Sequence, residues 1–433
     1  MIDKQHERKS AKYNQHIAHQ TSDPNRTDTR QYNYYTKLSI TFSVIVIVLV
    51  LANIFSGSAS FSDEENRMLS QRPEPNYFNI FSGRYESDFE SYINDQFPAR
   101  TFYTRIKTTA DVVTGKVESN NVYLCYNGYL IEKFQRPSKK SVKSTADLFK
   151  NFAKTHAGIK SYVLTVPTAA SIMKSKLPLN APDGHQDEYI NNIYSLLKRS
   201  GVYTIDVRDK FKKLASKGTQ LYYHSDHHWT STGAYIAFLL TAKKMGLKVN
   251  KKKHKASIVK NDFKGMLASK SGFYMCRSDN IDVYLPDNNT PVSILTYVDK
   301  QEKTTSYYKN ANLNKKDAYT VFTNGNHPLI KIRTSADNNN SLLIIKDSYA
   351  NCFIPFIAPY FKDTAVIDPR YYFNDIEKLI NEQKITHDGL SFSSSGTLAI
   401  ARSIVSITGS SFITDFACPI WCADCFSVST RLR

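Results

Sequence analysis

The sequence predicts an α/β fold: a mostly parallel sheet with helices on both faces, set behind an N-terminal transmembrane helix and carrying a strand-rich insertion. Short apolar runs alternate with helical stretches from about residue 140, the pattern of βαβ units whose strands are buried on both sides. An uncharged apolar run near the N-terminus is long enough to cross a bilayer. Asn-rich loops with short strand-like runs interrupt the α/β pattern over residues 250–335.

In chain order, residues 1–37 are polar and rich in Asn, Gln, His and Thr, and read as a disordered cytoplasmic tail. Residues 38–56 follow as the transmembrane anchor, with LSITFSVIVIVLVLANIF from Leu38 to Phe55 and no charge from Leu38 through Ser62. Seven Lys/Arg against four acids precede it, while Asp63, Glu64 and Glu65 follow it. The positive-inside bias therefore puts the N-terminus in the cytoplasm and the main domain outside, at the cell membrane as a single-pass protein. A cleaved signal peptide ending near Ser58-Ala59-Ser60 is the rival; the long basic segment and extended apolar core favour an uncleaved anchor. A buried soluble helix fits less well, because the run has no polar face.

Residues 57–120 read as an extracytoplasmic helical stem, with Tyr85, Phe89, Tyr92 and Phe97 at spacings near four and Pro98 as the stop. Val122-Tyr123-Leu124 and Tyr129-Leu130-Ile131, around Asn127-Gly128, predict a hairpin. The main domain, residues 121–386, continues with a helix near 141–155, a strand Ser161–Val166, a helix at 188–199 and a strand Val202–Val207. After a helix from Thr232 to about Met245 and the insertion come the strand Ser341–Ile345 and a short helix after Ser348. The strand Thr364–Asp368 and a helix at 374–382 complete the pattern. A further strand is expected after Thr386, but the residues from His387 do not read as one.

Residues 387–433 form an atypical C-terminal tail. Lys and Asn vanish after Lys384, Ser becomes common, and three of the six cysteines (Cys418, Cys422, Cys425) fall here. Their spacing lacks a fourth metal ligand; an abrupt composition change of this kind is what a shifted reading frame produces.

The chain carries 57 Lys+Arg against 39 Asp+Glu, a net charge of +18, which suggests an anionic partner. Nucleic acid is disfavoured by the topology and by the absence of zinc-finger spacing, a P-loop or an RNP-like signature. Six cysteines in 433 residues exclude a disulfide-stapled miniature scaffold. The run Lys251-Lys252-Lys253-His254-Lys255 reads as a solvated loop.

Two clusters carry chemistry. The first is His224-Ser225-Asp226-His227-His228-Trp229, between a strand region and a helix. It admits three readings: a metal site on His224, Asp226 and His228; a catalytic Asp-x-His pair with the carboxylate fixing the imidazole; or a structural loop. The second is Lys346-Asp347-Ser348-Tyr349-Ala350-Asn351, where a buried strand runs into a helix. A serine there suits a nucleophile beside free backbone N–H groups, and equally suits a helix N-cap.

With Glu65-Asn66-Arg67, Asn94-Asp95-Gln96-Phe97-Pro98-x-Arg100, Gly325-Asn326-His327-Pro328 and Asp368-Pro369-Arg370-Tyr371-Tyr372, these clusters resemble, in order over roughly residues 60–385, the DHHW protein family. That family takes its name from the tetrapeptide present here as Asp226-His227-His228-Trp229 and is similar to the SGNH-hydrolase-like acetyltransferases of alginate O-acetylation. The resemblance implies Ser348 as nucleophile, His228 as base and Asp226 as its orienting carboxylate. It also implies a permuted SGNH-hydrolase-like fold, because Asp and His precede Ser. Asn326 is then an oxyanion donor or a turn residue, Arg370 a substrate ligand or a salt bridge, Tyr349 a packing or lining residue, and Trp229 a sugar platform or a core anchor. The implied function is an acyl (acetyl) transferase or esterase acting on cell-envelope or exopolysaccharide hydroxyls. It would need no cofactor and no metal, and would be served by a membrane-bound acyltransferase. A non-catalytic envelope polysaccharide-binding or assembly protein of the same fold is the alternative.

Overall fold

The computed structural model describes residues 24–55, 57–62, 67–249, 255–285, 287 and 290–393. The tail cysteines Cys418, Cys422 and Cys425, the pair Glu65-Asn66 and the run from Lys251 to His254 lie outside the described residues. Two compact units divide the chain, residues 1–61 with 68–100 and residues 62–67 with 101–433.

In the first unit, helix α1 (Pro24–Phe55) contains a stretch, Gln31–Asn53, long and apolar enough to cross a membrane. None of that window is buried, and Ile40, Phe42, Ile45 and Val48 are each more than half exposed. A soluble core helix would cover such side chains. Helix α2 (Arg84–Gln96) carries the predicted Tyr85–Phe89–Tyr92 stripe, with Phe97 as its C-cap. The Gln96 amide explains part of the Asn-Asp-Gln motif: its Nε2 donates to the carbonyls of Ala59 (2.9 Å) and Ser70 (3.0 Å), while Asp95 accepts from the Ser70 N–H at 2.8 Å.

The second unit begins within helix α3 (Arg100–Val113), followed by the hairpin β1 (Val122–Leu124) and β2 (Leu130–Glu132). Asn127 and Gly128 take positive φ in its turn, as an Asn-Gly pair does at low cost. Then come α4 (Lys139–Thr155), β3 (Lys160–Val166), α5 (Gln186–Leu197), β4 (Tyr203–Ile205), α6 (Arg208–Ala215) and α7 (Ser231–Met245). Residues 250–335 supply β5 (Lys255–Phe263), α8 (Met266–Ser271), β6 (Asp279–Leu285), β7 (Ser293–Tyr297), β8 (Glu302–Thr304) and β9 (Leu329–Thr334). The chain then forms β10 (Ser341–Lys346), β11 (Asp363–Ile367), α9 (Ile376–Gln383) and β12 (His387–Ser393).

Eight strands form one sheet in the order β8-β7-β9-β11-β10-β12-β3-β4. The strands from β11 to β4 run parallel, while β9, β7 and β8 extend the sheet antiparallel. Alternating side chains of the parallel strands enter two cores. Leu342 and Ile344, with Tyr162 and Leu164, face Phe211 of α6 and Phe238 of α7. Leu343 and Ile345, with Val163, face Phe149 of α4, Ile190 of α5 and Leu379 of α9. Helices therefore cover both faces, as predicted.

Residues 250–335 are strand-rich, as expected; β7, β8 and β9 among them are hydrogen-bonded members of the main sheet, while β5 and β6 pair apart as a ribbon. Strand β7 alternates buried and exposed (Leu295 inside, Ile294 46% exposed), unlike the continuous apolar runs of the parallel strands, so its membership is not visible in its pattern. One expectation needs correction, at β12. Residues 387–393 do form the strand missing from the pattern, wedged between β10 and β3. His387-Asp388-Gly389 hides it, since its buried Asp388 is held by Ser161 Oγ at 2.7 Å from the neighbouring strand.

Candidate active site

In an open α/β sheet, chemistry gathers beyond the C-terminal ends of the parallel strands. Ser348 follows β10 and Arg370 follows β11 at that edge, and Asn326 precedes β9, whose first residue pairs with the last of β11. The His-rich loop is closed by a bridge between Tyr222 and Trp229 and by the Thr230 N–H donating to the Leu221 carbonyl at 2.9 Å. Thr230 then caps α7, accepting from the Gly233 N–H at 3.2 Å.

Asp226 is 3% exposed and fully engaged. Its Oδ1 accepts from the His228 N–H (2.9 Å) and lies 2.6 Å from His228 Nδ1, and its Oδ2 accepts from the Met266 N–H at 2.8 Å. A side chain at Gly265 would place its Cβ 2.3 Å from Asp226, so only glycine admits this approach. Burial pushes the Asp226 pKa up, but His228, His227 and these hydrogen bonds outweigh it and hold the carboxyl below the usual range. His228 Nε2 lies 2.9 Å from Ser348 Oγ. Burial, helped by His227 and opposed by Asp226, brings the His228 pKa down to about 4, so the ring is neutral at neutral pH with Nε2 free to accept a proton.

Ser348 opens a 3₁₀ turn, Ser348–Cys352. The cap of that turn is Asp347, whose Oδ1 accepts from the Tyr349 N–H at 3.1 Å. The hydroxyl of Ser348 is therefore not spent on capping and is directed to His228. A second aromatic ring completes the setting: Tyr319 stacks on the His228 imidazole, centroids 3.8 Å apart and planes within 10°.

The remaining predicted residues divide. Trp229 is fully buried and its Nε1 donates to the Tyr349 carbonyl at 2.8 Å, so it anchors the core and offers no face to a sugar. Tyr349 packs beneath the site, its hydroxyl donating to the His227 carbonyl. Arg370 lays its fork on Asp368 (Nε 2.9 Å, Nη2 2.6 Å), the salt-bridge alternative, with a side chain still 27% exposed. Asn326 accepts at Oδ1 from Lys346 Nζ (2.9 Å) and Asn351 Nδ2 (3.0 Å). The metal alternative on His224, Asp226 and His228 is not assembled, because His224 Nδ1 turns to Asp279 at 2.8 Å. The potential ligands that do cluster among the described residues are the contiguous Asp226, His227 and His228, within 4.8 Å of one another.

Sequence reasoning missed Asp279, Gly265 and Tyr319. Asp279 holds both His224 and Ser225, whose Oγ donates to its Oδ2 at 2.7 Å. Each acts across tens of residues of sequence with no local motif.

The fold is SGNH-hydrolase-like α/β. Residues 129–283 match the family model described as SGNH hydrolase-like domain, acetyltransferase AlgX. The structure is similar to a DHHW family protein from Eubacterium siraeum (TM-score 0.57, 21% identity, covering 66% of this chain and 96% of that one). It is also similar to Bacillus cereus PatB1 with a sulfonyl adduct (TM-score 0.56, 18% identity, 64% and 97% coverage). No curated protein matches the sequence. The resemblance to the DHHW and alginate-acetyltransferase proteins is thus borne out, and the structural likenesses establish a shared fold.

Proposed function

We propose that the chain is a membrane-anchored, extracytoplasmic acyltransferase or esterase that moves an acyl group, acetyl by resemblance, to or from carbohydrate hydroxyls of the cell envelope or an exopolysaccharide. The observation that carries this reading is the unbroken chain from Ser348 Oγ through His228 to Asp226, at 2.9 and 2.6 Å. Supporting it are the neutral His228, the Asp347 cap that leaves Ser348 uncommitted and the acetyltransferase-type family match.

In this mechanism His228 Nε2 takes the Ser348 proton as Oγ attacks the acyl carbon. The tetrahedral oxyanion collapses, expelling the donor's leaving group, which receives the proton from His228. The acceptor, a sugar hydroxyl or water, then loses its proton to His228, attacks the acyl-serine and frees Ser348, which takes the proton back. Asp226 holds the Nδ1–H and balances the imidazolium formed twice per cycle. The atoms close without a cofactor. A membrane-bound partner that exports the acyl group would supply the donor, and α1 would keep the enzyme at that membrane.

The test uses the detergent-solubilised full chain and an activated acetyl ester. Wild type is expected to release acetate, with Ser348→Ala and His228→Ala each losing roughly 10⁴-fold or more in kcat. A sulfonyl fluoride is expected to modify Ser348. Turnover that survives both substitutions removes the triad. An inert wild type that still binds envelope polysaccharide favours the non-catalytic alternative.

A further inference from the structure

Lys346 has no role in the steps above, yet it is placed at the heart of the site. It is the last residue of β10, two before Ser348, and its side chain is completely buried. Burying an ammonium is costly unless it is well partnered, and an apolar residue of similar length would pack a strand end at less expense. Its salt bridge does not account for it. Asp368 already receives the Arg370 fork at 2.9 and 2.6 Å, and Lys346 Nζ stands farther off, 3.3 Å from Asp368 Oδ2. Asp347, the cap of the serine turn, also acts on Lys346 and Arg370, so two positive groups here face two carboxylates.

The shorter bond of Lys346 goes to Asn326 Oδ1, at 2.9 Å, and Asn351 Nδ2 donates to the same oxygen at 3.0 Å. The two donors come from residues two before and three after Ser348, so the Asn326 amide is held beside the serine turn by its oxygen. Asn326 itself is exposed, and its Nδ2 makes no hydrogen bond among the described residues.

We propose that Lys346 is a positioning residue that orients and polarises the Asn326 amide, so that Nδ2 donates to the oxyanion formed when Ser348 attacks the acyl carbon. A positive charge at Oδ1 draws electron density from the amide and strengthens its N–H groups as donors. Preset donors of this kind act on the transition state more than on bound substrate, so the effect belongs in kcat. The assignment rests on the acyl-transfer reading.

A double-mutant cycle on the full chain tests it, with kcat and KM measured for wild type, Lys346→Met, Asn326→Ala and the combination on an activated acetyl ester. Each single variant is expected to lose about 100-fold in kcat with KM little changed. The combination is expected to be no worse than Asn326→Ala alone, because Lys346 acts through Asn326. A merely structural lysine would give losses that multiply, or a KM that rises with them, and either overturns the assignment. So does a Lys346→Met protein that folds and keeps the wild-type kcat. If Lys346→Met does not fold, the charge-balanced Lys346→Met/Asp368→Asn variant replaces it in the same cycle, and its additivity with Asn326→Ala decides. A wild type without ester turnover removes the acyl-transfer reading and this assignment together; an active wild type with multiplying losses removes the assignment alone.

Discussion

At the scale of single residues, two histidines of one loop take different roles because each meets a different carboxylate. His224 is paired with Asp279 and stacked on Tyr129 at 3.8 Å, which fixes the loop, while His228 is paired with Asp226 and aimed at Ser348. The lowered His228 pKa gives a pH signature. Proton acceptance needs the neutral ring, so kcat/KM should hold down to mildly acid pH and fall by half near pH 4. A pH–rate profile with its acid limb near 6.5 would contradict the buried, coupled environment. Gly265→Ala tests the carboxylate: its Cβ would stand 2.3 Å from Asp226, displacing it from His228 and costing about 100-fold in kcat while ester binding persists. Asp226, His228 and Ser348 were legible in the sequence because a motif carries them. Tyr319 and Asp279 were not, because a stacked ring and a distant carboxylate become partners only once the chain is folded.

At the scale of elements, the strands buried on both faces were readable as apolar runs, and β12 was not. Its Asp388 has a pKa raised to about 7, with burial the main cause against a Ser161 hydrogen bond and His156, and Oδ2 has no partner. A folded pKa above the ordinary 3.8 means that stability from this group is complete below about pH 4 and is lost as pH rises through 7. Asp388→Asn should therefore leave the urea midpoint nearly unchanged at pH 4 and raise it at pH 8. An equal shift at both values would show that titration is not involved. Strand β12 pairs with β10 on one side and β3 on the other, so a chain ending at Thr386 should show no cooperative unfolding transition by circular dichroism. Short strands were expected over residues 250–335, but partner choice is a long-range property that a strand's own residues do not encode.

At the scale of the whole molecule, the uncovered apolar face of α1 makes a prediction about partition. The full chain should sediment with membranes and stay there in high salt, whereas a chain starting at Gly57 should not. The +18 charge would give only salt-sensitive attachment, so release of the full chain by salt would argue against an anchor. The order of strands in the sheet has a further bearing on truncation. The seam between β10 and β3 is filled by β12, the latest in sequence of the eight strands. Without it the sheet divides into a five-stranded part that leads to Ser348 and a two-stranded part, β3 and β4, that leads to the loop of His228. A chain interrupted before His387 would thus keep the two parts of the candidate site on strands that nothing joins.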